Sequence, residues 1–231
     1  MPQVLRWHIY SNAGELATWG AREILQIGRD AIKRAGRFQI VLTGGDTPRR
    51  VYQELADAKS DWSRWHVYFG DERCRPVGDA QRNDRMARDA WLDRVPIPPS
   101  QVHSMPGELG PEEAAQCYAQ IVEPIERFDL VLLGLGGDGH IASLFPGRDE
   151  VLATAPTVGV RRSPKPPPER VSLSAGRLSR THRMLFLIAG ASKRDAVAAW
   201  RRGEVLPVAS VDPFSGIDVL LDRDAWPDRF V

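Results

Sequence analysis

The sequence has few cysteines, no long apolar run and almost no net charge. Cys74 and Cys117 are too few for a disulfide scaffold or a cysteine zinc site, so a reducing cytoplasm is the expected location. No apolar run reaches the roughly 20 residues of a membrane span, and the segment Met1–His8 lacks the basic and apolar parts of a signal peptide. Lys+Arg 31 against Asp+Glu 30 leave a net charge of +1, so we expect no binding to nucleic acid.

Several catalytic and metal-binding patterns are also missing. There is no Gly-x-Ser-x-Gly elbow, which excludes the commonest type of serine hydrolase, and no Walker motif. Histidines, cysteines and acids do not occur at metal-ligand spacing, so we expect no metal site. His8, His66, His103 and His182 have no distinctive setting and are interpreted as structural.

Apolar, strand-like runs alternate with stretches of helical period along the whole chain. This alternation is typical of a mostly parallel sheet covered by helices on both faces, so we predict one α/β domain over residues 1–231. The predicted strands are Val4–Tyr10, Phe38–Thr43, Trp65–Phe69, Phe128–Leu135, Arg170–Leu173 and Met184–Ala189, with shorter ones near Val102 and at Val158–Val160. Helices are predicted from Leu16 to a stop at Gly36 and over about 48–58, 81–92, 111–124 and 192–202.

The segment 163–170 reads Ser-Pro-Lys-Pro-Pro-Pro-Glu-Arg. Proline lacks the amide donor and has a fixed φ, so this segment cannot lie inside a helix or a central strand. We expect an extended, stiff loop. A linker between domains is the alternative, although strand-like runs follow directly.

Three polar or glycine-rich loops follow predicted strands, where ligands bind in α/β sheets. The first loop, Thr43–Pro48, has two glycines that let backbone amides face a bound group. With Thr47 as N-cap and Pro48 as first helical residue, the next helix would add partial positive charge. A phosphate or carboxylate site is one interpretation, and a well-capped tight turn is the other. Asp46 does not suit an anion site, so we expect its side chain to point away.

The second loop, Gly70–Arg75, contains three consecutive charged residues after a strand. An arginine at this position can grip a phosphate or carboxylate with paired donors, so Arg73 is a candidate ligand-binding residue. A solvated charged loop is the alternative. The neighbouring arginines could favour the thiolate of Cys74, but a passive cysteine is the favoured interpretation.

The third loop, Gly134–His140, matches the dinucleotide fingerprint G-x-G-x-x-G. Two features argue against a dinucleotide site: Asp138 would bring a carboxylate close to the pyrophosphate, and Pro146–Gly147 would stop the following helix early. The pair Arg161–Arg162 could bind a 2′-phosphate, so an NADP-binding alternative stays open. We favour a turn that brings Asp138 and His140 to one cavity. There the histidine can act as a general base, and a carboxylate can orient its ring or raise its basicity.

Taken together and in this order, four motifs resemble those of the 6-phosphogluconolactonase family. They are Thr43–Pro48, Gly70–Arg73, Asp129–Pro146 and Ser163–Val171, and the similarity extends over about residues 15–222. The resemblance implies a Rossmann-like, doubly wound α/β fold. It also implies hydrolysis of 6-phospho-D-glucono-1,5-lactone to 6-phosphogluconate in the oxidative pentose phosphate pathway. Because a lactone is an activated ester, we expect no metal or cofactor.

The resemblance also implies roles for individual residues. His140 is the expected catalytic base, oriented by Asp138 or Asp71, and an interaction with Asp138 would move its pKa above the usual value of about 6.5. Arg73 is expected to serve the phosphate or the oxyanion, with the choice left open. The other expected phosphate- or substrate-binding residues are Thr43, Gly44, Gly45, Asp46, Thr47, Asn83 and Lys165.

This chain departs from the family pattern at two of these places. The family usually has Ser-Asn where this chain has Arg82-Asn83, and Asp46 stands where a serine is common.

Three alternative functions remain. A glucosamine-6-phosphate deaminase would need a glutamate five residues after His140, where this chain has Phe145. The others are a non-catalytic sugar-phosphate-binding protein and an NADP oxidoreductase.

Overall fold

The computed structural model describes residues 3–227. Met1, Pro2 and residues 228–231 lie outside it, so the prediction of one domain over residues 1–231 stays a prediction at both ends. The strands are β1 (Leu5–Tyr10), β2 (Phe38–Leu42), β3 (Trp65–Phe69), β4 (Asp71–Arg73), β5 (Val102–His103), β6 (Phe128–Leu133), β7 (Thr157–Val160), β8 (Arg170–Leu173), β9 (Thr181–Ile188) and β10 (Ile217–Asp222). The α-helices are α1 (Ala13–Ala35), α2 (Asp46–Ala56), α3 (Asn83–Ala90), α4 (Pro111–Val122), α5 (Ala175–Ser179) and α6 (Arg194–Arg201).

The main sheet has seven parallel strands in the order β1-β10-β9-β6-β2-β3-β5. Every residue of β2 and β6 is buried, which explains why these strands read as continuous apolar runs rather than alternating ones. The predicted mostly parallel α/β sheet is therefore confirmed.

The chain reverses its direction of sheet growth between β2 and β6. From β2 the sheet continues through β3 to β5, and from β6 it continues through β9 to β10. In a doubly wound sheet such a switch point leaves a crevice at the carboxyl ends of the two strands. The loops Thr43–Pro48 and Gly134–His140 leave the sheet at this crevice.

A second, three-stranded antiparallel sheet has the order β4-β8-β7. The sequence grouped the runs of β7 and β8 with the main sheet, and this grouping was wrong. Strand β8 pairs instead with β7 on one side and with β4 on the other. Strand β4 is a three-residue strand directly after β3, and its charged residues hid it from the apolar pattern. In this small sheet Arg73 is paired with Arg170.

Strand β10 was missed in the sequence, although Ile217–Leu221 is a strongly apolar run. It lies between β1 and β9, so the last strand within residues 3–227 is an interior strand.

The first helix agrees with its prediction. Asn12 accepts hydrogen bonds from the amides of Gly14 and Glu15, and Gly36, with φ of 73°, ends the helix in the left-handed region.

Helix α2 begins earlier than its sequence indicated. Gly45 is the N-cap and Asp46 the first helical residue, so the assignment of Thr47 as N-cap and Pro48 as first residue was wrong. Gly45 adopts φ of 108°, a conformation that favours glycine, and this turns the chain into the helix two residues sooner. Within residues 3–227, no helix is long and apolar enough to cross a membrane.

The proline-rich segment 163–170 connects β7 to β8. The amide of Ser163 donates to the carbonyl of Pro168 at 2.9 Å, and residues 164–167 are bent, so the loop folds back on itself and is not extended as expected. Because the strands on either side pair directly with each other, the alternative of a domain linker was also wrong.

Candidate active site

A cavity of about 180 Å³ opens at the carboxyl ends of β2 and β6. This is smaller than the roughly 300–1,000 Å³ of pockets for drug-sized ligands, so it fits a compact molecule. All three loops singled out in the sequence contribute to its wall. The lining residues are Thr43, Gly44, Gly45, Asp71, Arg73, Asn83, Gly134, Leu135, Gly136, His140, Ala142, Arg170 and Lys193.

The first loop is held in place by hydrogen bonds from its Thr43 backbone to Tyr52 of α2. Its buried hydroxyl donates to the carbonyl of Thr43 at 2.9 Å and accepts from the amide of Thr43 at 3.1 Å. Gly44 is packed against Asn83 so closely that a Cβ atom would overlap the side-chain amide. The loop then enters α2, an 11-residue helix whose amino end favours an anion.

Two residues of the expected phosphate grip do not line this cavity. The side chain of Asp46 is 86% exposed and pairs with Arg49 at 2.8 Å, so it points away as expected. The place of Asp46 among the binding residues stays a prediction. Thr47 is the second residue of α2 and is not part of the cavity wall.

The second loop supplies Asp71 and Arg73. The buried carboxylate of Asp71 accepts hydrogen bonds from the hydroxyl of Ser143 at 2.6 Å and from Asn83 Nδ2 at 3.2 Å. It therefore joins the second and third loops and does not contact His140. Arg73 donates from Nη1 to the carbonyl of Gln81, and its buried Nε atom has no hydrogen-bond partner within residues 3–227.

The third loop places Asp138 beside His140. Asp138 Oδ1 is 2.5 Å from His140 Nδ1, so between the two candidate acids the structure selects Asp138 as the group that orients the ring. A Cβ atom on Gly136 would overlap both side chains, which explains the glycine at this position. When Nδ1 donates to Asp138, the other ring nitrogen, Nε2, keeps a free lone pair.

The pKa values of this pair suit a general base. Burial lowers the pKa of His140 below 6.5, and the charge of Lys165 adds to the effect, so together they outweigh the opposing influence of Asp138. Burial would raise the pKa of Asp138, but the hydrogen bond and charge of His140, together with Lys165, lower it to about 2. The expected upward shift of the histidine pKa was therefore wrong. Asp138 does contact the ring, but burial has the larger effect.

Lys165 reaches the site from the proline-rich loop. Its Nζ atom is 3.3 Å from His140 Nδ1 and 3.4 Å from Asp138 Oδ1. The structure thus places this lysine on the histidine–carboxylate pair, at the edge of the cavity. Its expected role as a phosphate ligand stays a prediction.

Two cavity cations were missed in the sequence, Arg170 and Lys193. Arg170 donates to the carbonyls of Lys165, Pro166 and Pro167, at 3.1 Å each, and so holds the proline-rich loop. Lys193 follows β9, and burial lowers its pKa, as does the charge of Lys165. The position of Lys193 after a strand end could have indicated from the sequence that it is a site residue. Arg170 lies within a strand, so its position gave no such indication.

The geometry argues against a dinucleotide site. The fingerprint needs a helix directly after the glycines, but residues 137–145 form turns and a bridge instead. Arg161, one of the two arginines that kept the NADP alternative open, is bound by both carboxylate oxygens of Glu112, at 2.6 and 2.7 Å.

The remaining candidate groups lie elsewhere. His8 binds Asp218 at 3.1 Å, and the rings of His66 and His103 stack 6.0 Å apart at the opposite edge of the sheet. Burial, with the charges of nearby glutamates, raises the pKa of Cys74 to about 12, so its thiol is protonated at neutral pH. Within residues 3–227, no group of three or more His, Cys, Asp or Glu could hold a metal ion.

The chain matches the family model described as glucosamine-6-phosphate isomerases/6-phosphogluconolactonase over residues 11–220. It is 38% identical over 237 residues to the 6-phosphogluconolactonase of Mycobacterium leprae, covering 94% of this chain and 95% of that protein. Against the 6-phosphogluconolactonase of Mycobacterium tuberculosis it is 39% identical over 228 residues, covering 91% and 92%.

A solved structure agrees with the sequence comparisons. The crystal structure of 6-phosphogluconolactonase from Thermotoga maritima superposes with a TM-score of 0.89 at 27% identity, covering 95% of this chain and 100% of that chain. The similarity confirms the expected fold, including its doubly wound sheet.

Proposed function

The chain belongs to the family of glucosamine-6-phosphate isomerases and 6-phosphogluconolactonases, and we propose that it hydrolyses 6-phospho-D-glucono-1,5-lactone to 6-phosphogluconate in the oxidative pentose phosphate pathway. The observation that carries this proposal is the Asp138–His140 pair in the wall of a compact, cation-lined cavity beside a glycine-rich helix start. One domain, a cytoplasmic location and the absence of a nucleic-acid or membrane partner stay predictions.

In the proposed mechanism, His140 Nε2 takes a proton from water as the water oxygen attacks C1 of the lactone. The resulting oxyanion collapses, the bond between C1 and the ring oxygen breaks, and the imidazolium returns its proton to that oxygen. The product carboxylic acid then loses a proton to solvent. Asp138 holds the ring with Nε2 toward the water and stabilises the imidazolium that forms, which is the role of the acid in a histidine–carboxylate pair.

The phosphate is held at the other side of the cavity in this proposal. Backbone amides of Gly44 and Gly45 and the amino end of α2 would bind it. The cations Arg73, Arg170 and Lys193 would supply charge to the phosphate and to the developing oxyanion. Anchoring the phosphate holds C1 against the base, which converts binding energy into orientation.

Deamination is disfavoured by the side chain next to His140. Phe145 occupies the position of the expected deaminase glutamate, is 1% exposed, and packs with its ring 4.6 Å from that of His140. The glutamate that the deaminase alternative needs five residues after His140 is therefore missing.

The proposal is tested by adding the protein to 6-phosphogluconolactone made in situ with glucose-6-phosphate dehydrogenase. We expect hydrolysis well above the spontaneous rate, measured at each pH because the lactone also hydrolyses in base. His140→Gln should lower kcat by roughly 10²–10⁴ with little change in affinity for 6-phosphogluconate, because the phosphate grip lies on other loops.

The matched control is His182→Gln, at an exposed histidine that does not line the cavity. A wild-type rate equal to the spontaneous rate would favour the non-catalytic sugar-phosphate-binding alternative. A stable His140→Gln protein with normal kcat would contradict the mechanism even if the substrate proved right.

A further inference from the structure

Arg82 is the residue by which this chain departs from the family pattern beside Asn83, and it is buried. Only 2% of it is exposed. A buried guanidinium destabilises the fold unless carboxylates and hydrogen-bond acceptors compensate it. The partners of the Arg82 guanidinium therefore show which interactions this arginine makes in the fold.

Five contacts within hydrogen-bonding distance surround the Arg82 guanidinium. Asp84 binds it through both oxygens at 2.9 and 3.1 Å, and Glu108 binds it at 2.8 Å. The carbonyls of Arg75 and Met105 accept at 3.0 and 2.8 Å. The group thus ties together the loop after β4, the first turn of α3 and the segment 105–108.

A second buried acidic side chain, Glu72, lies 3.8 Å from Arg82 Nε and is fully buried, and this burial raises the pKa of its carboxyl group. Its carboxylate accepts hydrogen bonds from three backbone amides, those of Arg73 at 2.8 Å, Asn83 at 2.7 Å and Asp84 at 2.9 Å. Glu72 therefore fixes the backbone of Arg73 and Asn83 directly, and both of these residues line the cavity.

Asn83 carries this constraint into the first loop. Its Nδ2 atom donates to the carbonyl of Asp71 at 2.9 Å, and its amide packs directly on Gly44. Movement of Asn83 would therefore release one side of the glycine loop. The Asp138–His140 pair lies on another loop and makes no contact with Arg82 or Glu72.

From these contacts we propose that Arg82 and Glu72 form a buried polar clamp that positions Arg73 and Asn83, and thereby sets the affinity of the site for the phosphate end of its ligand. Arg82 is a positioning residue. The proposal rests on the proposed function only in its choice of ligand.

The test compares Arg82→Met with Arg85→Met on the same helix. Arg85 is exposed and pairs with Asp89 at 2.9 Å, so it provides the matched control. In Arg82→Met we expect KM for the lactone and Kd for 6-phosphogluconate to rise roughly 10- to 100-fold, a cost typical of displaced positioning groups. The midpoint of the acid limb of kcat/KM should stay in place. Arg85→Met should change neither quantity.

Two further variants keep the test decisive if Arg82→Met does not fold. Arg82→Met with Asp84→Asn and Glu108→Gln removes the carboxylates left without a partner and should fold with the same loss of affinity. Arg82→Lys retains the charge and should recover part of the affinity. Folded variants with unchanged Kd and KM would overturn the clamp.

Binding and turnover separate this proposal from the proposed function. Titration calorimetry with 6-phosphogluconate needs no catalysis, so a weaker Kd in Arg82→Met supports the clamp whatever the wild-type rate. Absence of lactone hydrolysis by the wild type, together with normal product binding, would overturn the function and leave the clamp standing.

Discussion

Lys165 and His140 illustrate how one charge can set the working pH of the site. Nζ of Lys165 lies 3.3 Å from His140 Nδ1. A positive charge at this distance opposes protonation of the ring and lowers its pKa. A base must be unprotonated to accept a proton, so in the proposed mechanism this arrangement would keep His140 active to lower pH.

We predict that Lys165→Met raises the pKa of His140 and moves the acid limb of kcat/KM to higher pH. The wild-type limb should lie below pH 6.5, because burial and Lys165 both lower the pKa of His140. The measurement is a pH profile of kcat/KM with the spontaneous rate subtracted, and the control is the exposed Lys33→Met. If the limb stays in place while affinity for 6-phosphogluconate falls, Lys165 serves the phosphate, as the family resemblance implies.

At the scale of the element, one glycine of the third loop, Gly136, explains its conformation better than the match to the dinucleotide fingerprint does. The loop Gly134–His140 contains four glycines, but Gly136 is the one whose Cβ would overlap both Asp138 and His140. Side-chain packing on the glycine, and not a bound pyrophosphate, explains this part of the motif.

We predict that Gly136→Ala displaces the His140 ring and lowers kcat by roughly 10²-fold, the cost of misplacing a catalytic group by about 1 Å. The midpoint of thermal unfolding should change far less, because the loop is on the surface of the crevice. Gly134→Ala adds the same methyl group to the same loop with nothing within 4 Å.

For the control we expect the acid limb of kcat/KM to stay at its wild-type pH. Equal kcat values for the two alanine variants would contradict this explanation of the loop. A ¹H–¹³C spectrum of the histidine rings would show directly whether His140 has moved.

At the scale of the whole molecule, the two ends of the chain are joined in one sheet. Strand β1 pairs with β10 over six residues. Asp218 of β10 is the register partner of Arg6 in this pairing. Its carboxylate accepts hydrogen bonds from Arg6 at 2.8 Å, His8 at 3.1 Å and Arg183 at 3.1 Å. Burial would raise its pKa, but these partners lower it from 3.8 to about 2.

A carboxylate with a lowered pKa stabilises the fold above its unfolded pKa, and this contribution is lost as the pH falls through the folded pKa. We therefore predict that Asp218→Asn lowers the free energy of unfolding at pH 7 by about 2 kcal/mol, at 1.36 kcal/mol per pKa unit. The difference from wild type should shrink between pH 4 and pH 2.

Urea unfolding at pH 7 and pH 3 measures this difference, with the exposed Asp212→Asn as control. Asp218→Asn would contradict the prediction if its free energy of unfolding matched that of Asp212→Asn at pH 7.

The sequence by itself determined the α/β class and the three loops at the strand ends, and it singled out His140 as the candidate base. These properties follow from local patterns: apolar runs, helical period, glycines after strands and an acid two residues from a histidine. Asp138 and His140 are close in sequence, so their pairing could be anticipated without the fold.

Only the tertiary structure decided which distant groups meet at the cavity and how they titrate. Arg170 enters the site through its pairing with Arg73, a register that no local pattern encodes. The position of β10 between β1 and β9 likewise depends on contacts more than 200 residues apart. The direction of the His140 pKa shift depended on burial by the whole fold, which opposes a nearby carboxylate and here outweighs it.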